Sequence, residues 1–214
     1  MKMYPLYVPE NDSLSMFPHV DHHIVPTWLL NFLCISISIV ILIIALVLLK
    51  FLPKYFVDFR VFTLIWVFVI VAANNLSVTE ILKRYAGRPR PDVYAVCGNN
   101  TQHKDCTNVK ESTRDNQYKS WPSGHSSTSM STFYLVGCFI QNFCKKLPAV
   151  SSFVGLLFIL LALMIGATRI RDFRHHTDDV LAGLFIGYLV AAFFWRKTKY
   201  DVFIDENKEG YTEA

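Results

Sequence analysis

Three short polar stretches carry the residues of this chain whose types and spacing could do chemistry. They are KRYAGRPRP at residues 83–91, WPSGH at residues 121–125 and RIRDFRHHTDD at residues 169–179. Lys83 and Arg90 in the first stretch and Arg169 in the third supply cations. Guanidinium groups bind phosphate oxygens through paired hydrogen bonds, and an ammonium adds a compact charge. The three residues therefore predict a phosphate-binding site.

The second stretch predicts a helix start that binds an anion. Ser123, Gly124 and His125 precede an apolar run, so the unpaired amides and the positive dipole end of the following helix would face the same anion. Glycine lets the backbone approach a ligand closely. We therefore expect Ser123 and Gly124 to bind phosphate together with the three cations.

Two histidines add groups that can attack phosphorus or transfer a proton. His175 lies four residues before Asp179, a spacing that places both side chains on one face of a helix. A carboxylate that holds one ring nitrogen leaves the other free to attack, so His175 is the predicted nucleophile and Asp179 the residue that orients it. His125 is the predicted acid and base, because histidine titrates near neutral pH. His176 would project about 100° away and is expected to take no part.

The same histidines could instead bind a metal ion. Phosphatases that use two metals surround the paired ions with several carboxylates and histidines, whereas these histidines stand among cations that would repel a metal. We therefore expect a reaction without a metal and without any cofactor.

Long apolar runs must position these polar stretches. The chain of 214 residues is 52% hydrophobic and only 18% charged, which is below the roughly 25% usual for soluble domains. A helix needs roughly 20 apolar residues to cross a bilayer, and irregular backbone cannot face lipid. The sequence therefore predicts one all-α domain over residues 1–214, a polytopic bundle of five membrane helices. The predicted helices are Ile24–Leu49, Val61–Thr79, Ser126–Cys144, Leu147–Thr168 and Val180–Trp195.

Cations in the short connections predict the orientation. Lysines and arginines cluster at residues 50–60, 145–146 and 196–199, all on one side of the predicted helices, which we expect to be cytoplasmic. Residues 200–214 would form a cytoplasmic tail, while residues 1–23 and the three polar stretches would face the outside or a lumen. Features typical of that side agree, namely a disulfide that could form between Cys97 and Cys106 and the glycosylation sequons at Asn11 and Asn99.

The three stretches together resemble the three-part signature of the type 2 phosphatidic acid phosphatases, also called lipid phosphate phosphatases. The matching residues are Lys83 with Arg90-Pro91, Pro122-Ser123-Gly124-His125, and Arg169 with His175 and Asp179. The resemblance implies that His175 forms a phosphohistidine, that His125 is the acid and base, and that Asp179 orients His175. It also implies the phosphate-binding set Lys83, Arg90, Ser123, Gly124 and Arg169.

The chain departs from the family pattern in two ways. Thr168 stands where the family usually has serine, an exchange of one hydroxyl for another. The family usually has six membrane helices and five are counted here, with the first one missing, because residues 4–28 look like the outer loop that follows it. We expect either a shortened form or a fold for which five helices suffice. A longer transcript that encodes about 20 apolar residues upstream would decide between them.

The resemblance implies an integral-membrane enzyme that hydrolyses phosphatidate, lysophosphatidate, sphingosine 1-phosphate or ceramide 1-phosphate. A related phosphatase acting on a polyprenyl diphosphate or a sugar phosphate is the alternative enzyme. A catalytically inactive relative that binds lipid is the alternative outside catalysis. The expected partners are the lipid substrate and the bilayer, with no nucleic acid and with a homo-oligomer left open. The plasma membrane and the endoplasmic reticulum are both open as locations.

Overall fold

The computed structural model describes residues 3–10, 12–99 and 101–204. Within those ranges the chain forms helices and loops without a β-strand, which confirms the predicted all-α class. The α-helices, labelled α1 to α7 in chain order, are Thr27–Phe51, Val61–Ala86, Val93–Cys97, Glu111–Gln117, Gly124–Phe143, Pro148–Arg171 and Thr177–Val202. Two short 3-10 helices are Ser13–Ser15 and Pro53–Tyr55.

The five long helices correspond to the five predicted apolar runs, but several continue beyond the predicted ends. The prediction stopped each run at its first charged residue, whereas α2 continues through Glu80 and Lys83 to Ala86. Likewise, α7 continues through Arg196. Charged residues are tolerated in the last turns of such helices because their long side chains reach water while their stems stay on apolar surface. Lys83 is therefore held by a helix rather than by a loop.

Four of the long helices, α1, α2, α6 and α7, are long and apolar enough to cross a membrane. The sequence predicted five membrane helices. Four of them meet this criterion, and α5 does not. α5 packs against all four of the others, so its surroundings are protein. Ser127 on α5, for example, is buried and its Oγ lies 3.0 Å from Thr79 Oγ1. A helix enclosed in this way can be polar because its hydroxyls find partners within the protein.

One end of the bundle is closed by aromatic packing. The α1–α2 connection and the residues after α7 meet there through an isolated antiparallel bridge between Phe59 and Phe203. Phe139 packs edge-on against Phe59 with ring centroids 5.0 Å apart. Phe203 is buried, so the predicted cytoplasmic tail at 200–214 begins as packed structure. Residues 205–214 lie outside the described ranges.

At the opposite end, the residues before α1 fold over the loops. We call residues 3–26, without Asn11, the strap. Two backbone hydrogen bonds attach the strap to the loop after α2. The Leu6 N–H donates to the Gly87 carbonyl at 2.9 Å, and the Phe17 N–H donates to the Pro91 carbonyl at 3.0 Å. The strap therefore belongs to the same folded unit as the long loop between α2 and α5.

A disulfide braces that long loop. Cys97 and Cys106 are bonded to each other, as the sequence allowed. Both are buried in one small cluster with Tyr118 and with Val8 of the strap. The predicted glycosylation site Asn99 is exposed beside this cluster, whereas Asn11 lies outside the described residues.

Candidate active site

A cavity of about 380 Å³ opens at the end of the bundle that carries the strap. At this end α2 and α6 finish, while α1, α5 and α7 begin. The structure thus brings the three polar stretches together. Ser123 and Asp179 are fully buried next to the cavity without lining it. The predicted site residues that do line it are Lys83, Arg90, Gly124, His125, Arg169 and His175.

Two of the predicted cations reach the cavity from helix ends. Lys83 stands in the last turn of α2, and its Nζ would lie 3.1 Å from a Cβ atom placed on Gly124. Arg169 stands in the last turn of α6, where its Nη2 pairs with Asp172 at 2.7 Å. The Arg169 Nε also donates to Thr168 Oγ1 at 3.1 Å. Threonine therefore supplies a hydroxyl to this arginine at the position where serine is usual.

The third predicted cation, Arg90, is buried and rigidly held. Its Nε and Nη2 donate to the backbone and side-chain oxygens of Asn116, each at 2.8 Å, and its Nη1 donates to the Arg174 carbonyl at 3.1 Å. No carboxylate of the described residues forms an ion pair with it. Burial, with the nearby charge of Arg174, lowers the pKa of Arg90 to about 9. A buried guanidinium without a carboxylate partner favours the binding of an anionic ligand in the cavity.

His175 is buried in the loop before α7, with one ring nitrogen fixed. Its Nδ1 lies 2.7 Å from the Ser120 carbonyl, which can only accept, so Nδ1 carries the proton and Nε2 keeps a lone pair. Burial lowers the pKa of His175 well below its ordinary value of 6.5, and the charges of Arg90 and Lys83 lower it further. The ring is therefore neutral at neutral pH, with Nε2 available as a nucleophile.

Asp179 holds His175 differently from the sequence prediction. The two were expected to share a helical face, but α7 begins at Thr177 and His175 precedes it. The distance from His175 Nδ1 to Asp179 Oδ2 is 3.9 Å, which is too long for a hydrogen bond. Asp179 Oδ2 instead accepts from Ser120 Oγ at 2.6 Å. The carboxylate thus anchors the residue whose carbonyl holds the His175 ring.

His176 has a structural place beside the site, and the prediction that it takes no part in the chemistry stays a prediction. It is the N-cap residue of α7, and its backbone N–H donates to Asp179 Oδ2 at 2.8 Å. Arg88 Nη1 donates to the other carboxylate oxygen at 2.7 Å. The Arg88 guanidinium and these hydrogen bonds fix the start of α7. The position of His175 depends on that start.

The first turn of α5 positions the second histidine. Ser123 is the N-cap of α5, and its Oγ accepts from the Ser126 N–H at 3.4 Å. Its hydroxyl thus serves the helix rather than pointing into the cavity. His125 Nε2 lies 3.1 Å from the Val25 carbonyl of the strap, so this nitrogen carries a proton. The strap therefore fixes the tautomer of His125.

Several cavity residues were missed by the sequence prediction, among them three polar ones that contact or adjoin the predicted set. Arg174 precedes His175 directly, and its Nη1 donates to Asp92 Oδ2 at 2.9 Å. Its place beside the predicted nucleophile was a usable signal. Asn116 and His23 also line the cavity. They come from the long loop and the strap, and no spacing pattern in the sequence connects them to the site.

The donor set does not resemble a metal centre. Within the described part of the chain, no group of three or more His, Cys, Asp and Glu residues is placed to hold a metal ion. The absence of a metal and of a cofactor stays a prediction.

An apolar groove adjoins the cavity. It has a volume of about 530 Å³ and lies between α1, α2 and α5. Residues shared by the two spaces are Asn31, Leu76 and Thr128. Deeper along the groove the lining is mostly aliphatic and aromatic, as at Leu42 and Phe68. The polar cavity therefore continues into a space suited to a hydrocarbon chain.

Comparison with known proteins assigns the family. The sequence model of the PAP2 superfamily matches residues 62–203, more than half of the chain. The chain belongs to the PAP2 superfamily. This agrees with the resemblance drawn from the sequence, and all eight predicted site residues fall within the range that matches the PAP2 superfamily.

Curated relatives and one solved structure of PAP2 type agree with the assignment. "Probable lipid phosphate phosphatase 4" of Arabidopsis thaliana is 31% identical over 193 residues, covering 83% of this chain and 59% of the relative. "Phospholipid phosphatase 2" of Homo sapiens is 33% identical over 147 residues, covering 62% and 50%. The chain spans about half the length of the curated relatives it matches.

The solved structure supports the fold of this PAP2 chain. It is a transmembrane PAP2 type phosphatidylglycerolphosphate phosphatase from Bacillus subtilis, with a TM-score of 0.53 at 18% identity. The likeness covers 82% of this chain and 79% of the other. The chain is thus an integral-membrane protein of the PAP2 fold.

Proposed function

We propose that this chain is a lipid phosphate phosphatase that hydrolyses phosphatidate and related lipid phosphate monoesters. The observation that carries the proposal is the continuity of a cation-lined cavity, which contains two histidines, with an apolar groove between helices. A phosphate headgroup fits the first and a hydrocarbon chain fits the second. Relatives named as lipid and phospholipid phosphatases support this choice of substrate.

The phosphate would be bound by the cations at the helix ends. Arg90 and Arg169 are proposed to pair with its oxygens and Lys83 to add a third charge, as guanidinium and ammonium groups do in other sites. Gly124 leaves room for the phosphate at the start of α5, where backbone N–H groups lack partners. Ser123 contributes indirectly, because as N-cap it fixes the position of that helix start.

The reaction would proceed in two displacements at phosphorus. His175 Nε2 attacks, an N–P bond forms, and the bond from phosphorus to the lipid oxygen breaks. His125 passes a proton to that leaving oxygen. Burial and the charges of Arg169 and Lys83 lower the pKa of His125 to about 3, so this proton would come from the bound phosphate monoanion through His125. Water then attacks the phosphohistidine, the N–P bond breaks, and His125 takes a proton from the water. Inorganic phosphate leaves, and both histidines return to their starting states.

Asp179 would act as a positioning residue in this scheme. It accepts from Ser120 Oγ, and the Ser120 carbonyl holds the Nδ1 proton of His175. This bond becomes stronger when the His175 ring gains positive charge on phosphorylation, since hydrogen bonds from charged donors are the stronger ones.

The site is proposed to face the outside or a lumen. The lysines and arginines of the short connections lie at the end of the bundle opposite the cavity, which favours a cytoplasmic location for that end. The disulfide on the cavity side supports an oxidising compartment there. Both the plasma membrane and the endoplasmic reticulum meet this condition.

The test is phosphate release by detergent-solubilised membranes that contain the chain, with a chelator present throughout. We expect release from phosphatidate and little from glucose 6-phosphate. His175→Ala should abolish release, because it removes Nε2, the atom proposed to form the N–P bond. His22→Ala, an exposed histidine of the strap, is the matched control and should retain activity. Full activity of His175→Ala, or a preference for the sugar phosphate, would refute the proposal.

A further inference from the structure

Glu80 is the one acidic residue in the described part of the chain that lines the cavity. Other nearby carboxylates are already paired, as Asp172 is with Arg169 at 2.7 Å. The Glu80 carboxylate has only a longer contact, 3.8 Å to Lys83 Nζ, and 51% of its side chain is exposed. A negative charge among phosphate-binding cations weakens phosphate binding, so its place there calls for another role.

Glu80 stands where the cavity meets the groove. Residues three or four apart share one face of a helix, so Lys83, Glu80 and Leu76 follow each other along α2. Lys83 lines the cavity, and Leu76 lines both the cavity and the groove. On α1, Asn31 also lines both spaces. Glu80 therefore lies between the cavity proposed to hold the phosphate and the groove proposed to hold the hydrocarbon chain.

A lipid phosphate bound across these two spaces would pass Glu80 with the carbons next to its phosphate ester. Lipid phosphates differ in what those carbons carry. A long-chain amino alcohol has a protonated amine there, a lysophospholipid has a hydroxyl, and a diacyl lipid has an ester without a donor. A carboxylate accepts hydrogen bonds only, and it interacts most strongly with a charged donor.

We propose that Glu80 is a specificity-determining residue that favours single-chain lipid phosphates with a protonated amine next to the phosphate-bearing carbon. The proposal rests on the proposed function and names the substrate that the site prefers. Because the Glu80 side chain is half exposed, the gain in binding free energy from its contact with the amine is that of a partly solvated ion pair. This corresponds to about a fivefold preference.

The test compares two substrates that differ at one nitrogen. Sphingosine 1-phosphate has the charged amine, and its N-acetyl derivative has the same long chain with a neutral amide. We expect Glu80→Gln to lower the ratio of their kcat/KM values about fivefold, through loss of rate on the amine alone. Glu80→Asp, which keeps the charge, should retain most of the ratio.

Glu111→Gln is the matched control, since Glu111 lies on α4 with 82% of its side chain exposed and does not line the cavity. An unchanged ratio in Glu80→Gln would overturn the inference. An equal loss of rate on both substrates would also overturn it, because it would show that Glu80 acts only by positioning Lys83. Activity of the unaltered chain on either lipid separates this result from the proposed function. Release from no lipid phosphate at all would overturn both.

Discussion

At the scale of single residues, the site depends on a neutral histidine that is surrounded by positive charge. His175 donates its Nδ1 proton to the Ser120 carbonyl, and burial with the charges of Arg90 and Lys83 depresses its pKa. The cations that are proposed to bind the phosphate thus also keep the proposed nucleophile unprotonated. Substrate binding brings negative charge into the cavity and relieves the repulsion that a positive phosphohistidine ring would otherwise meet.

This arrangement predicts the pH dependence of the reaction. The proposed nucleophile is the neutral form of His175, so kcat/KM should fall as pH drops through its folded-state pKa, and that acid limb should lie below pH 6.5. Arg90→Gln removes a charge that depresses this pKa. Its residual activity should therefore show an acid limb at higher pH than the unaltered chain. The measurement is kcat/KM against pH on one substrate, so that the ionisation of the substrate is common to both proteins.

The control for this profile is Arg60→Gln, which removes a cation from the end of the bundle opposite the cavity. Its acid limb should coincide with that of the unaltered chain. Coincident limbs for Arg90→Gln and the unaltered chain would show that another group governs the profile.

Sequence reasoning predicted which residues meet better than it predicted their contacts. The types and spacing of Lys83, Arg90 and His175 predicted that they would lie at one end of the bundle, and all three line the cavity there. The link from Asp179 through Ser120 to His175 was not predictable. It depends on where α7 begins, and a start two residues earlier would include His175 in the helix.

At the scale of helices, α5 is the element around which the site is assembled. It carries Gly124 and His125 in its first turn, and α7 crosses it at close range. A Cβ atom on Gly183 would lie 2.4 Å from the Ser123 carbonyl oxygen, and one on Gly187 would lie 2.3 Å from the Ser127 carbonyl oxygen. The two helices can therefore pack this closely only because α7 has glycine at both positions.

Substitution of the deeper glycine tests this packing. Gly187→Ala places a methyl group against backbone that cannot move away without separating α5 from α7. We expect a loss of about 1–3 kcal/mol in stability, as for other overpacked sites, observed as a lower Tm in detergent. Leu189→Ala, on the exposed side of the same helix, should change the Tm much less. An unchanged Tm for Gly187→Ala would contradict the close crossing.

The serine content of α5 also explains the difference between predicted and observed membrane helices. A run of apolar residues identifies a helix that faces lipid, and α1, α2, α6 and α7 were found on that basis. α5 was predicted in the same way, from the uncharged run Ser126–Cys144. Its enclosure by the other helices was not predictable, because periodicity in one segment does not reveal which helices surround it.

At the scale of the whole molecule, the two ends of the bundle differ in chemistry. The cavity end has the strap, the disulfide and the buried cations that are proposed to bind phosphate. The other end has exposed lysines in short connections and an aromatic cluster around Phe59 and Phe203. Only exposed cations in short connections bear on membrane orientation, since those buried in the cavity serve the site. The exposed cations at the aromatic end therefore favour a cytoplasmic location for that end.

This orientation is tested by labelling single cysteines in sealed microsomes, whose cytoplasmic face is outward. Lys145→Cys, between α5 and α6, should react with a membrane-impermeant maleimide in intact microsomes. Glu111→Cys, on the cavity side, should react only after detergent opens the membrane, because the label cannot cross hydrocarbon. Serine replaces the free cysteines in both variants to remove background labelling, at Cys34, Cys138 and Cys144. The reverse pattern would place the cavity in the cytoplasm, and the disulfide would then have to persist in a reducing compartment.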